Sequence, residues 1–161
     1  MQKDFTTFDI NKALKIPRDR LRDWMRRGYI KPTIDADGQG TKAIFSRQDV
    51  YRVELFQRLL KMGLHRKLAV QFLEKYNEPR ESNPEGRYLV IRLGARISRD
   101  EEMHGSYFTK TIANADQKID LVKGFIDHEE LAADFDGRWD YIQIVNLKRL
   151  EQATDKMLEK L

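Results

Sequence analysis

The 161-residue chain contains no cysteine. That absence removes disulfides, thiolate metal sites and cysteine nucleophiles together. Long apolar runs are also missing, since none approaches the ~18 residues of a membrane span, and no membrane partner is expected. Met1–Asp4 is polar and no apolar h-region follows, unlike a signal peptide, which points to the cytoplasm. There is no phosphate-cradling glycine loop, no His-Glu-x-x-His and no serine-nucleophile elbow, so neither an enzyme nor a cofactor is expected. His65, His104 and His128 are far apart and have no cysteine partners, which leaves metal sensing without ligands. The acidic pairs Glu101-Glu102 and Glu129-Glu130 are adjacent; on a helix they do not share a face, and they read as solvated surface.

What the chain does have is charge, unevenly spread. Hydrophobic residues make up 40% and charged residues 35%, with a net charge of +4. Residues 1–76 hold 17 Lys+Arg against 9 Asp+Glu, a net of +8, whereas residues 77–161 hold 13 against 17, a net of −4. A basic half joined to an acidic half suggests that a polyanion binds the first half only.

Within the basic half, Pro17–Pro32 reads as one short helix with defined ends. Pro17 suits the first turn, Gly28 the position just past the last turn, and Pro32 bars continuation. Leu21, Trp24 and Met25 share one side and face a core. Arg18, Arg22 and Arg26 form a stripe beside it, with Arg20 and Arg27 opposite. Such a helix is marginal alone in water and must be held by neighbours. Its arginines fit either a solvated basic face or a helix entering a DNA major groove.

The flanking segments bear on that choice. Phe5–Leu14 reads as a preceding helix, capped by Thr6 or Thr7 with Asp9 in its first turn and Ile10, Ala13 and Leu14 inward. Lys15-Ile16 is a tight connection, so the pair forms a helix-turn-helix unit. Thr33–Asp35 and Lys42–Phe45 read as short strands around Asp37-Gly38, a hairpin signal. The hairpin fits either a wing whose Gly40, Thr41 and Lys42 lie along a phosphate backbone or a plain surface loop. Ser46 caps a third helix with Asp49 as reciprocal partner, and that helix stops at Met62-Gly63. A fourth runs from about Arg66 to Tyr76, with His65 at its start.

The order of these pieces resembles the MerR family of winged-helix transcription regulators. The matching residues are Leu21-Arg22-x-Trp24, Gly28-Tyr29-Ile30-Lys31-Pro32, Phe45-Ser46-Arg47-Gln48-Asp49-Val50 and Leu59-Leu60-Lys61-Met62-Gly63-Leu64. They span roughly residues 5–76. The resemblance implies a homodimer on a twofold-related double-stranded DNA site and is compatible with contact with RNA polymerase; the sequence does not tell whether residues 87–145 bind an effector. Arg22 matches a family arginine that contacts DNA, and Trp24 an aromatic position with a structural part. Asp19 and Asp23 depart from the usual pattern. They fit either acceptors for a cytosine amino group or local partners that orient Arg18, Arg20 or Arg27. Arg18, Arg20, Arg22, Arg26, Thr41, Lys42 and Arg47 are the candidate DNA contacts.

Residues 77–86, with two prolines, a glycine and no large apolar side chain, read as a linker. Residues 87–161 then read as a small α+β module. It has strands at Tyr88–Leu93, Ser106–Ile112 and Trp139–Val145, a turn at Ser98–Glu102, an ambiguous segment at Ile119–Phe125 and a short helix over about 127–135. Tyr88, Tyr107, Phe108, Trp139 and Tyr141 fit a module core better than a ligand pocket. A last helix, 146–161, is capped by Asn146 and places Leu147, Leu150, Thr154, Met157 and Leu161 in a heptad register. That register fits a dimerisation seam or a helix packed on its own sheet. The whole is an α+β chain with a winged helix-turn-helix over residues 1–76, a linker, and a module ending in this helix. Its expected role is a dimeric regulator on an inverted-repeat operator. Two other roles share the same features: an excisionase-like DNA-bending factor and a protein-interaction module.

Overall fold

The computed structural model describes residues 4–36, 38, 41–74, 76, 88–95, 108–114, 117–126 and 141–161. The chain divides into two compact units, one of residues 1–77 with 149–161 and one of residues 78–148.

Unit 1 begins with strand β1 (Phe5–Thr6) and helix α1 (Thr7–Leu14). Thr6 caps α1, and the Asp9 side chain reaches back to the Thr6 N–H at 2.8 Å. Lys15 then takes a left-handed conformation, φ 54°, that reverses the chain into helix α2 (Arg18–Arg26). Gly28, at φ 71°, ends α2, as its place in the sequence predicts. Helix α3 (Arg47–Lys61) opens on the predicted Ser46/Asp49 capping box. Helix α4 (Arg66–Glu74) follows, and the His65 imidazole Nδ1 accepts from the Lys67 N–H at 3.4 Å.

The hairpin differs from expectation. Strand β2 (Ile44–Phe45) pairs antiparallel with β1 through Phe5↔Phe45 and Thr6↔Ile44. Thr33–Asp35 contributes only the single bridge Ile34↔Ile44. The reason is burial: Phe5 and Phe45 are both sealed in the core, and their pairing fixes β2 from the N-terminal side. Gly40 at the expected tip lies outside the described residues.

The core of unit 1 is built on α3, whose Val50, Val53, Leu55, Phe56 and Leu59 are fully buried. Trp24 of α2 meets Phe56 edge to face, with ring centroids 5.0 Å apart, an arrangement worth about 0.5–1.5 kcal/mol beyond area burial. Tyr29 packs on the same ring at 6.0 Å.

Helix α5 (Leu147–Leu158) departs most from the sequence reading. Its residues from Arg149 onward group with unit 1 rather than with the module that precedes them. The Tyr51 hydroxyl donates to Asp155 at 2.7 Å and the Tyr76 hydroxyl to Glu151 at 2.5 Å. Its buried stripe is Leu147, Leu150, Thr154 and Leu158. Those steps of three, four and four residues leave the heptad at Leu158, where the heptad would place Met157. Leu147, Leu150 and Thr154, expected in a dimer seam, are therefore already covered in a single chain. Met157 and Leu161 remain half-exposed.

Unit 2 holds a four-stranded antiparallel sheet in the order β4-β5-β3-β6. The strands are β3 (Tyr88–Ala95), β4 (Phe108–Asn114), β5 (Gln117–Ile126) and β6 (Tyr141–Asn146). The ambiguous segment Ile119–Phe125 is a strand: β5 is paired along one edge to β3 (Ile119↔Ala95, Phe125↔Leu89) and along the other to β4 (Ile119↔Ile112). Leu89, Val90 and Ile91 are all buried, so β3 is covered on both faces there. The linker 77–86, the turn at 98–102 and the helix expected over 127–135 lie outside the described residues, as do Tyr107, Trp139, His104 and His128.

Candidate nucleic-acid interface

Two of the arginines in the stripe on α2 are displayed and one is restrained. Leu21 and Trp24 are buried at 1% and 3% exposure, which pins one side of the helix and turns Arg18 and Arg22 to solvent. Among the described residues, no carboxylate pairs with either of them. Arg26 instead lies 2.6 Å from Asp23, and Arg27 Nε lies 2.9 Å from the same carboxylate. Arg27 first, then Arg26, hold the Asp23 carboxyl below the ordinary carboxylate range. Asp23 thus orients Arg27, one of the partners the sequence suggested, together with Arg26.

The wing is positioned by a buried acid. The Asp49 carboxylate accepts from the Ser46 N–H and hydroxyl, each at 2.9 Å, and from the Thr33 hydroxyl at 2.5 Å. One side chain therefore caps α3 and ties the start of the wing to it. At the far end, the Thr41 hydroxyl donates to the Gly38 carbonyl at 2.9 Å, and Gly38 takes φ 115°. Of the Asp-Gly pair, Gly38 takes the positive φ that such a turn signal implies, and Asp37 lies outside the described residues.

These supports bring Arg18, Arg22, Thr41 and Lys42 to one open cleft of about 690 Å³ between α1, α2 and the wing. Leu21 and Met25 line its floor. One acid, Asp9, lines this cleft and accepts from the Thr6 N–H and hydroxyl, so three cations there face a single, hydrogen-bonded carboxylate. The other candidates lie elsewhere. Arg20 lines a separate cleft with Lys61, His65 and Arg66. Arg47, in the first turn of α3, lies 3.5 Å from Asp155 of α5.

Several residues that hold or line the candidate site carry little or no local signal in the sequence. Asp49 was legible as a cap but not as the wing's anchor, because Thr33 is 16 residues away. Asp155, which holds both Tyr51 and Arg47, is 104 residues from Tyr51 and gave no local signal. Phe8, 72% exposed on α1, also lines the cationic cleft. Its signal was its position off the Ile10–Ala13–Leu14 side.

No group of His, Asp or Glu among the described residues is placed to hold a metal ion, and no helix among them is long and apolar enough to cross a membrane. Residues 5–75 match the family model for MerR HTH family regulatory proteins. No curated protein is significantly similar to the chain.

Proposed function

We propose, from the premise that residues 5–75 belong to the MerR helix-turn-helix family, that the protein is a sequence-specific DNA-binding transcription regulator acting as a homodimer on an inverted-repeat operator. The observation that carries this reading is the convergence of Arg18, Arg22, Thr41 and Lys42 on one cleft in which cations outnumber the single acid, Asp9. Helix α2 enters the major groove, where Arg22 reads a base edge and Arg18 meets a phosphate. Thr41 and Lys42 of the wing follow the adjacent backbone. Arg20, in a separate cleft, and Arg26, held by Asp23, stand outside this set. Arg47 joins it only on release from Asp155.

A twofold site requires a contact between copies. Met157 and Leu161 support one, since both line an open cleft at the end of α5 with Lys12 and Lys15. Contact with RNA polymerase and control by an effector belong to the same reading, with the cytoplasm as its setting.

The test is selection of bound sequences from random duplex DNA by the full chain, with the mass of the complex measured in parallel. A consensus of two related half-sites bound by two chains is expected. Recovery of no consensus at low salt from a folded chain rejects the reading.

A further inference from the structure

A single exposed apolar side chain is ordinary on a protein surface and carries no meaning by itself. Phe8 differs by its location. It sits in the first turn of α1, its ring is 72% exposed, and it lines the cleft that holds Arg18, Arg22, Thr41 and Lys42. Met25, which is partly exposed, lines the same cleft, and Leu21 is buried beneath it. The cleft therefore combines cations, at Arg18, Arg22 and Lys42, with an apolar strip that begins at Phe8.

The edge of a DNA major groove has the complementary pattern. Phosphates project at its border, while deoxyribose carbons and thymine methyl groups are the apolar surface beside them. The first helix of a helix-turn-helix crosses the backbone, and phenylalanine makes apolar contact with thymine methyl groups. We infer that Phe8 is a DNA-contacting residue that packs on apolar carbon at the groove edge, either a thymine methyl, where it sets specificity, or a deoxyribose face, where it adds affinity alone. This inference rests on the proposed DNA-binding reading and adds to it a non-ionic contact from α1. Such a contact strengthens binding without releasing counterions, so its salt signature differs from that of the arginines.

The experiment uses the full chain and the tightest duplex recovered from random-sequence selection. Phe8→Ala is expected to weaken binding roughly tenfold, with the slope of affinity against salt unchanged. Phe8→Leu is expected to retain most of the affinity. Replacing each thymine in turn by uracil separates the two sources. One position at which loss of the methyl costs wild type but not Phe8→Ala identifies a thymine methyl. Equal costs at every position identify the deoxyribose. Arg22→Ala is the control for the underlying reading, and the thermal midpoint of Phe8→Ala is expected to match wild type because the ring is exposed. If Phe8→Ala binds within twofold of wild type while Arg22→Ala is weakened, the inference fails and the DNA-binding reading stands. A change of oligomeric state in Phe8→Ala also overturns it, by placing the ring between copies. If no duplex is bound, both fail.

Discussion

At the scale of single residues, the division of labour on α2 follows from which charges are already satisfied. Arg22 is exposed, lines the wing-side cleft and has no carboxylate partner among the described residues. Replacing it with alanine is expected to cost roughly 1–3 kcal/mol of specific binding if it reads a base edge. The same change is expected to relax selectivity at one operator position, read from a repeated selection with the variant. Unchanged operator affinity at fixed salt rejects the role. Asp23 acts in the opposite direction, since it holds Arg26 and Arg27 at 2.6 and 2.9 Å and adds a negative charge to the same helix. Asp23→Asn frees both guanidiniums, so affinity for a random duplex is expected to rise. Its logarithmic salt dependence is expected to steepen by up to about 0.9 for each added phosphate contact. A titration of one random duplex across several salt concentrations decides it. A weaker, shallower curve would falsify the restraining role and favour Asp23 as a base acceptor.

At the scale of elements, helix α5 is fastened to unit 1 by hydroxyl–carboxylate hydrogen bonds from Tyr51 and Tyr76. Burial first, then the hydrogen bond to Asp155, pushes the Tyr51 phenol from 10.0 up to about 12. The fold therefore favours the protonated phenol. Its contribution is complete below pH 10 and is lost as pH rises to about 12. Tyr51→Phe is expected to cost about 1–2 kcal/mol at neutral pH, since a hydrogen bond to a charged group is lost while Asp155 keeps Arg47. Urea unfolding of both proteins between pH 8 and about 12 checks this: the gap between them should close as the wild-type phenol ionises. A gap that persists unchanged at the alkaline end is incompatible with the assignment. The same helix marks how far the sequence could be read. Caps and stops were legible because their signals are local: Ser46 meets Asp49 three residues on, and Gly28 needs only its own positive φ. The order of helices and wing, and the outward face of α2, followed from such signals. The pairing of β1 with β2 joins residues some forty apart, and the docking of α5 joins residues 104 apart. A register read over two heptads could not separate a seam between copies from a stripe within one chain. The deciding residue was Leu158, which lies off the heptad and is buried.

At the scale of the whole molecule, the charge asymmetry and the symmetry of the DNA lead to one expectation. Residues 1–76 carry a net +8, and on the proposed reading they supply the arginines and Lys42 for one half-site. One half-site offers few contacts, and a second copy converts the second binding event into an intramolecular one. The gain depends on a contact between copies that survives in solution. Leu150 and Thr154 are committed inside the chain, and Thr154 also donates its hydroxyl to the Leu150 carbonyl at 2.8 Å. Disrupting either unfolds the docking of α5 and says nothing about dimers. Met157, in the last turn of α5, and Leu161, three residues past its end, are only half-covered and line an open cleft. Met157→Glu combined with Leu161→Glu is therefore expected to leave the folded chain intact, at a stability cost of about 1 kcal/mol or less. It is also expected to shift the protein from two chains to one in solution. On a duplex with two half-sites the double variant should lose at least tenfold in affinity, while on a duplex with a single half-site it should bind as wild type does. Light scattering, thermal unfolding and the two duplex titrations read these separately. If the variant stays dimeric with full affinity, the contact lies on another surface, and the proposed seam at the end of α5 is excluded while the single-chain DNA interface is untouched.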